Sequence, residues 1–299
     1  MNVNERRRRL RQILEGSDCV LASSVADPLS ARIGDALDVQ VGVLGGSVAS
    51  LAVLGAPDLI VLTLSELAEQ VRRIGRVARL SLLVDADHGY GNALNVMRTV
   101  QELQDAGACG ISIEDTLLPR AYGAPDPFQL ISLEEGVDKI RAALRARGDS
   151  GMAILARTSA LSLEGADGAA RRLRAYQDAG ADGLFIPGLK RRADLDRIAQ
   201  AVSLPIVLGG AGPELLGDPA YLASRGVRVR FAGHQAYSDA ARAFYQAIRA
   251  ERERLGCPVP EAVEPAQLMD RLSQATLYDQ YVADYLAPQP GGAQAPDAR

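Results

Sequence analysis

Eight short apolar segments recur along this chain, and helix-period segments separate most of them. Such alternation over roughly 250 residues is typical of a parallel (β/α)8 barrel of the TIM type. A doubly wound open sheet is the alternative. The eight segments are Val20–Ser24, Val39–Leu44, Ser81–Val84, Gly110–Ile113, Met152–Ala156, Gly183–Ile186, Pro205–Leu208 and Val227–Ala232.

The composition fits that architecture. Hydrophobic residues make up 47% of the chain but aromatic residues only 4%, and Trp is absent. A core of Ala, Val, Leu and Ile is typical of parallel strands buried under helices. A further apolar run, Leu59–Leu62, we interpret as a connecting segment and not as a strand. The predicted helices are Leu29–Leu37, Thr63–Val77, Ala93–Ala106, Leu133–Arg147, Glu164–Ala179 and Arg192–Val202.

The chain divides into three predicted parts. Residues 1–255 form the catalytic barrel, 256–286 a C-terminal helical extension, and 287–299 a disordered tail rich in Pro, Gly, Gln and Ala. The first residues predict a helix whose basic face, Arg6–Arg9, is solvated. Its apolar residues Leu10, Ile13 and Leu14 are expected to face inward.

Charge and cysteine usage exclude several classes of protein. The net charge of −4 argues against nucleic-acid binding as the main role. Three widely separated Cys residues argue against a disulfide framework or a Cys-rich zinc site. No apolar run approaches the length of a membrane span. The basic N-terminus lacks the apolar region of a secretory signal, so we expect a cytoplasmic location and no membrane partner.

Polar residues gather where the apolar segments end. Active sites of such barrels lie at the carboxyl ends of the strands, so these residues are expected to share one mouth. They are Gly45-Gly46-Ser47 after the second segment, Asp85 and Asp87 after the third, Glu114-Asp115 after the fourth, Arg157 after the fifth, and His234 after the eighth.

Asp85 and Asp87 are the most informative of these residues. Two carboxylates this close raise each other's pKa and resist joint burial. Mg²⁺ removes the conflict, since it prefers one or two carboxylates plus waters and substrate oxygens. Plainer roles are open: Asp87 could cap a helix, Glu114 could pair with a basic side chain, and Arg157 and His234 could be structural.

The phrase Asp85-Ala86-Asp87-His88-Gly89-Tyr90-Gly91-Asn92 resembles the metal-binding signature of the isocitrate lyase and phosphoenolpyruvate mutase superfamily. The resemblance extends from Val20 to about Tyr285. It implies that Mg²⁺, with Mn²⁺ as the alternative, is bound directly by Asp85 and through water by Asp58, Asp87 and Glu114. It also implies that backbone N–H groups of Gly46, Ser47 and Val48 hold a substrate carboxylate, with Arg157 gripping the same end.

The chain departs from two branches of that superfamily. The lyase branches carry a catalytic Cys in a Lys-Lys-Cys-Gly-His loop, but residues 114–122 here contain neither Cys nor Lys. The phosphonate branch has Lys where this chain has Thr116. The remaining pattern, with a Gly-His pair ending the eighth segment, is similar to the oxaloacetate decarboxylase subgroup. His234 corresponds to its distinctive pocket residue.

The resemblance therefore implies Mg²⁺-dependent decarboxylation of oxaloacetate to pyruvate and CO₂ through a metal-stabilised enolate. His234 and Arg157 are the expected catalytic residues, and a small keto diacid is the expected partner. The alternatives are a C–C bond lyase acting on a substituted malate or citrate-like 2-hydroxy acid, and a phosphonopyruvate-type hydrolase. A binding protein on a decayed barrel is the non-enzymatic alternative.

The C-terminal region predicts one helix over Pro265–Leu286. Its apolar and aromatic stripe could cover the chain's own barrel. The resemblance implies instead that such helices are exchanged between neighbouring subunits, giving a homotetramer built as a dimer of dimers. The sequence leaves open whether residues 117–128 close as a lid. The stripe comprises Leu268, Leu272, Leu277, Tyr281 and Tyr285.

Overall fold

A computed structural model describes residues 1–124 and 128–287 of the chain. Eight parallel strands close into a barrel in chain order, and β1 pairs with β8 through Val20 and Val229. This closure confirms the (β/α)8 prediction and excludes the open sheet. The strands are β1 Val20–Ser24, β2 Val41–Leu44, β3 Ser81–Asp85, β4 Gly110–Glu114, β5 Ala153–Arg157, β6 Gly183–Pro187, β7 Ile206–Gly209 and β8 Val227–Phe231.

The six predicted helices are present, each within three residues of its expected bounds. Leu59–Leu62 lies outside every strand, as predicted. Among the described residues the helices are α1 Val3–Glu15, α2 Pro28–Ala36, α3 Gly46–Leu54, α4 Leu64–Gly75, α5 Ala93–Ala106, α6 Leu133–Arg147, α7 Ala160–Leu163, α8 Gly165–Asp178, α9 Arg192–Ala199, α10 Pro213–Leu216, α11 Pro219–Ser224, α12 Gln235–Arg254, α13 Leu268–Leu272 and α14 Ala275–Leu286.

The core has two layers because side chains alternate between the faces of each strand. One cluster lies between the strands and the surrounding helices. The other fills the barrel interior and includes Val41, Val43 and Leu83. Leu10 and Leu14 of α1 belong to this interior cluster, so α1 closes the amino-terminal end of the barrel. The carboxyl-terminal mouth is therefore the end of the barrel at which an active site can lie.

The prediction of a fully solvated basic face on α1 is wrong for Arg6 and Arg7, which are buried. Arg7 donates from Nε to the Ala108 carbonyl at 3.0 Å and from Nη2 to the Gln104 carbonyl at 2.6 Å. A third donation reaches the carbonyl of Ser150 at 3.2 Å. The Arg7 guanidinium can be buried here because it donates to these three backbone carbonyls, whereas Arg6 donates from Nη1 to the Ala78 carbonyl at 3.2 Å and its Nε has no partner among the described residues.

The single helix predicted over Pro265–Leu286 is also wrong. Two helices, α13 and α14, are separated at Ser273 and Gln274, and Gln274 adopts a left-handed φ of 60°. A non-glycine residue in that conformation interrupts the helical path. The predicted tail, from residue 288 onward, lies outside the described residues. The part of the chain that is described contains no helix with the length and apolar character needed to cross a bilayer.

Replacement of Arg7 tests whether α1 stabilises the protein by closing the amino-terminal end of the barrel. Arg7→Ala removes a charged donor from three carbonyls, and we expect the free energy of unfolding to fall by about 2–3 kcal/mol. Chemical denaturation of both variants measures the difference. Arg8→Ala is the matched control, because Arg8 is exposed on the same helix and should change stability by under about 0.5 kcal/mol. Equal losses in the two variants would contradict the assignment.

Candidate active site

Three neighbouring strands bring the central charges of the mouth together. Asp85 ends β3, Glu114 ends β4 and Arg157 ends β5, and Glu114 lies in register with Arg157. Arg157 donates from Nη1 to Asp85 Oδ2, and its Nε lies 2.9 Å from Glu114 Oε2. Ser112, from β4, donates to the other Asp85 oxygen at 3.2 Å. One guanidinium is thus shared by two carboxylates.

Two further carboxylates border the start of α3. A Cβ atom added to Gly46 would lie 2.9 Å from Asp87 Oδ1 and 3.2 Å from Asp58 Oδ2, so only glycine leaves these acids their space. The N-cap residue Gly45 provides no side-chain cap for the helix. The N–H groups of the first turn, including those of Ser47 and Val48, are therefore available to an anion, which the helix dipole also favours.

Among the described residues, the mouth holds four carboxylates and one guanidinium. The pKa values of these groups reflect the excess of negative charge. Burial, followed by the charges of Asp85, Asp58 and Glu114, raises the pKa of Asp87 well above its usual range. Burial raises the pKa of Glu114 to about 7, although Arg157 opposes the shift. Withdrawal from water and repulsion by Asp85 raise the pKa of Asp58, even though the residue as a whole is exposed at the rim.

Arg157 responds in the opposite sense. Burial alone would lower its pKa, but the carboxylates of Asp85 and Glu114 outweigh that effect and raise it. The guanidinium therefore stays charged at every ordinary pH. The guanidinium lies over the aromatic ring of Phe185, with its central carbon 5.5 Å from the ring centroid. This contact and the two ion pairs fix the side chain in the mouth.

A divalent cation fits this donor set. Residues 1–124 and 128–287 contain no group of three His, Cys, Asp or Glu side chains tight enough to hold an ion by themselves. Mg²⁺ does not require one, because it keeps several waters and takes only one or two carboxylates. The surplus of buried carboxylates, with Asp87 and Glu114 resisting ionisation, is the charge imbalance that such a cation would correct.

His234 reaches the same mouth from the end of β8. Its Nδ1 lies 2.7 Å from the Ser24 hydroxyl at the end of β1. A Cβ atom on Gly45 would lie 2.4 Å from its Nε2, so the missing side chain makes room for the imidazole. Burial lowers the pKa of His234, with Asp85 opposing the shift. The ring is therefore neutral at pH 7 and is oriented by Ser24.

The structure brings the other predicted site residues to the mouth, but the expectation that Asp115 lies there is wrong, because its side chain faces α8 behind the barrel. The structure also adds residues that the sequence did not indicate. Ser24 and Ser112 contact His234 and Asp85, and the only signal for them is a hydroxyl within an apolar strand. Tyr90 has a buried hydroxyl without a hydrogen-bond partner among the described residues. Burial, and then the Asp87 carboxylate, raise the pKa of this phenol.

A cavity of about 760 Å³ opens beside Arg157, over the ends of β5 and β6. Its walls combine the apolar side chains of Leu161 and Pro187 with polar groups such as Thr116 and Ser159. Its lining includes Arg157 but not Asp85, Glu114 or His234, so this cavity adjoins the carboxylates of the mouth and does not enclose them.

Comparisons with known proteins identify relatives that match almost the whole chain. A sequence profile of the phosphoenolpyruvate phosphomutase family matches residues 10–252. The chain is 49% identical over 288 residues to an oxaloacetate decarboxylase of Paraburkholderia xenovorans (strain LB400), covering 96% of this chain and 95% of that protein. It is 52% identical over 281 residues to an oxaloacetate decarboxylase of Rhodopseudomonas palustris (strain BisA53), covering 94% and 96%.

Among solved structures, the chain is similar to a phosphonopyruvate hydrolase in complex with oxalate and Mg²⁺. The TM-score is 0.74 at 28% identity, with 96% of this chain and 100% of that chain covered. The similarity therefore extends over the barrel and the C-terminal helices alike.

The raised pKa of Glu114 predicts a pH dependence of stability in the metal-free protein. A carboxyl group whose pKa is higher in the folded state binds its proton more tightly there, so it stabilises the fold at low pH. We expect the free energy of unfolding to fall as pH rises from about 4.5 to about 7, and this fall to be smaller in Glu114→Gln. Denaturant titrations across that range, in the presence of a chelator, measure it.

The exposed Glu134, in the first turn of α6, provides the control. Glu134→Gln should follow the wild-type pH profile. A Glu114→Gln profile that coincides with the wild type would show that Glu114 titrates normally.

Proposed function

The chain belongs to the phosphoenolpyruvate phosphomutase family, and we propose that it decarboxylates oxaloacetate to pyruvate and CO₂. The proposal rests on the acid cluster, which consists of Asp58, Asp85, Asp87 and Glu114 and whose negative charge Arg157 balances only in part. This cluster lies beside the uncapped start of α3. A cation and the carboxylate of a keto acid suit these two neighbouring features. Relatives about 50% identical over almost the full chain, named oxaloacetate decarboxylase, support the same activity.

Substrate binding starts with the C1 carboxylate. The free N–H groups of Ser47 and Val48 hold it at the positive end of the α3 dipole, and Arg157 supplies the full positive charge nearby. Fixing this end of the molecule sets the orientation of the bond to the C4 carboxylate. That bond must stand perpendicular to the keto plane, so that its electrons enter the π-system as CO₂ leaves.

Loss of CO₂ places negative charge on the C2 oxygen of the resulting enolate. Asp85 is proposed as the direct ligand of Mg²⁺ or Mn²⁺, with Asp58, Asp87 and Glu114 acting through water. When bound, the ion supplies positive charge that favours the enolate more than the ketone. The protein's own contribution is to keep these four carboxylates together in a partly dry mouth.

His234 is proposed to donate a hydrogen bond to the substrate. We assign the Ser24 hydroxyl as the donor to Nδ1, which leaves the proton of the neutral ring on Nε2, the nitrogen that faces Gly45 in the mouth. A neutral donor stabilises developing charge on the substrate oxygen without drawing the C4 carboxylate into a competing ion pair. Protonation of the enolate at C3 then gives pyruvate.

The activity has a direct assay. The purified protein with Mg²⁺ and oxaloacetate should release pyruvate well above the metal-only rate, and a chelator should abolish the gain. Asp85→Asn, which keeps the shape but removes the charge, should lower kcat/KM by at least about 10²-fold. His234→Gln should lower kcat by about 10²-fold, as expected for loss of one oriented donor.

Asp149→Asn is the control, because Asp149 is exposed in the turn after α6 and should leave the rate unchanged. A panel with substituted malates, a citrate-like acid and phosphonopyruvate tests the alternative activities. Turnover of one of these in place of oxaloacetate would overturn the proposal. Tight oxalate binding without turnover of any keto acid would favour a binding protein.

We also propose that the C-terminal helices are exchanged between subunits in a homotetramer, a dimer of dimers. Apolar side chains on the outer helices are exposed in the single chain, including Phe244 on α12 and Tyr285 on α14, each 70% exposed. Leu29 on α2 and Leu37, which directly follows that helix, are similarly exposed. Large exposed apolar groups of this kind are typical of subunit contacts. The cytoplasmic location stays a prediction.

Sedimentation of the full-length protein tests the assembly. The wild type should sediment as a tetramer, and Tyr285→Glu should shift the population toward smaller species, because a charge would be buried in the contact. The control is Arg254→Glu, at the end of α12 and exposed. A monomeric wild type would contradict the proposal and would leave the decarboxylase assay independent of it.

A further inference from the structure

Asp115 follows Glu114 at the end of β4, but it faces away from the mouth. Successive side chains of a strand point to opposite faces, so Glu114 enters the barrel and Asp115 enters the layer between the barrel and the helices. Asp115 is only 2% exposed. A carboxylate so deeply buried needs dedicated partners.

Three donors converge on one oxygen of Asp115. Oδ2 accepts from Tyr176 Oη at 2.7 Å, from Thr158 Oγ1 at 2.8 Å and from Arg172 Nη1 at 3.3 Å. Thr158 directly follows Arg157 on β5, whereas Tyr176 and Arg172 belong to α8. One carboxylate therefore ties the ends of two catalytic strands to a single helix.

The sequence makes room for this junction. A Cβ atom on Gly136, within α6, would lie 2.5 Å from the Tyr176 hydroxyl. Glycine inside a helix destabilises it relative to alanine. Here its presence lets the phenol pass between α6 and α8 and reach Asp115.

The same junction closes the base of the loop that follows β4. The Ile131 N–H donates to the Asp115 carbonyl at 2.9 Å, and Arg172 donates to the Ile131 carbonyl at 3.1 Å. Arg172 is also ion-paired with Glu164 at 3.0 Å. The loop thus leaves and rejoins the barrel at a fixed point, directly behind Glu114.

We propose that Asp115 is a positioning residue, which holds Glu114 and Arg157 in their ion pair by joining the ends of β4 and β5 to α8. The side-chain pairs lie back to back: Glu114 with Arg157 inside the mouth, and Asp115 with Thr158 behind it. Loss of the outer pair frees the strand ends to shift relative to each other. The inner pair, which borders the acid cluster, shifts with them.

The chain offers a matched control at the other end of the barrel. Asp182 accepts from the Ile154 N–H at 2.8 Å and is ion-paired with Arg147 at 2.7 Å and with Arg11 at 3.2 Å. It is a part-buried, arginine-paired carboxylate bound to the same strand, β5, but far from the mouth. Its loss should affect stability without affecting the site.

The test compares Asp115→Asn with Asp182→Asn, using crystal structures, kcat/KM for oxaloacetate, Mn²⁺ affinity measured by electron paramagnetic resonance, and Tm. The activity and metal readouts rest on the proposed function. We expect both variants to lower Tm. Only Asp115→Asn should displace the Arg157 guanidinium and lower both kcat/KM and Mn²⁺ affinity, by about 10-fold or more.

Tyr176→Phe and Thr158→Val each remove one donor to Asp115. They should produce smaller changes in the same direction, and they carry the test if Asp115→Asn fails to fold. The proposal is overturned if Arg157 and Glu114 stay within about 0.5 Å of their wild-type positions. It is also overturned if activity falls equally in Asp182→Asn. An inactive wild type would refute the proposed function alone, since the crystallographic displacement still decides the role of Asp115.

Discussion

The ion pair of Arg157 with Asp85 and Glu114 is the contact on which the mouth of this barrel depends. It joins the ends of three successive strands, and it supplies the one guanidinium that the described residues place among the four clustered carboxylates. One positive charge is too little for that group, so burial and mutual repulsion hold the pKa values of Asp87 and Glu114 above their usual range. This imbalance of charge supports the proposal that a divalent cation binds there.

The two ends of the barrel solve different problems. At the amino-terminal end, Arg7 of α1 donates to three backbone carbonyls, so the barrel is closed by a buried charge with several hydrogen-bond partners. At the carboxyl-terminal end, the N–H groups that begin α3 and several carboxylates are left incompletely paired. Stability is concentrated at the first end and reactivity at the second, a division that suits an enzyme.

Much of the fold and site could be predicted because the signals are local. Apolar runs and helical periodicity mark the strands and helices, and the strand ends identify Asp85 and Glu114. What could not be predicted depends on partners distant in sequence. The buried Arg7 donates to the carbonyl of Ala108, which is 101 residues away in the sequence. His234 is oriented by the hydroxyl of Ser24, which is 210 residues away. No local pattern encodes such pairs, whose existence follows only from closure of the barrel.

The central claim is that the acid cluster requires a divalent cation. Calorimetric titration of the metal-free, full-length protein with Mg²⁺ tests it most directly, when repeated near pH 7 in buffers of different ionisation enthalpy. If the claim is right, binding is saturable, releases protons from carboxyl groups of raised pKa, tightens as pH rises, and is lost in Asp85→Asn. Absence of saturable binding, or an Asp85→Asn variant that binds Mg²⁺ as the wild type does, would contradict it.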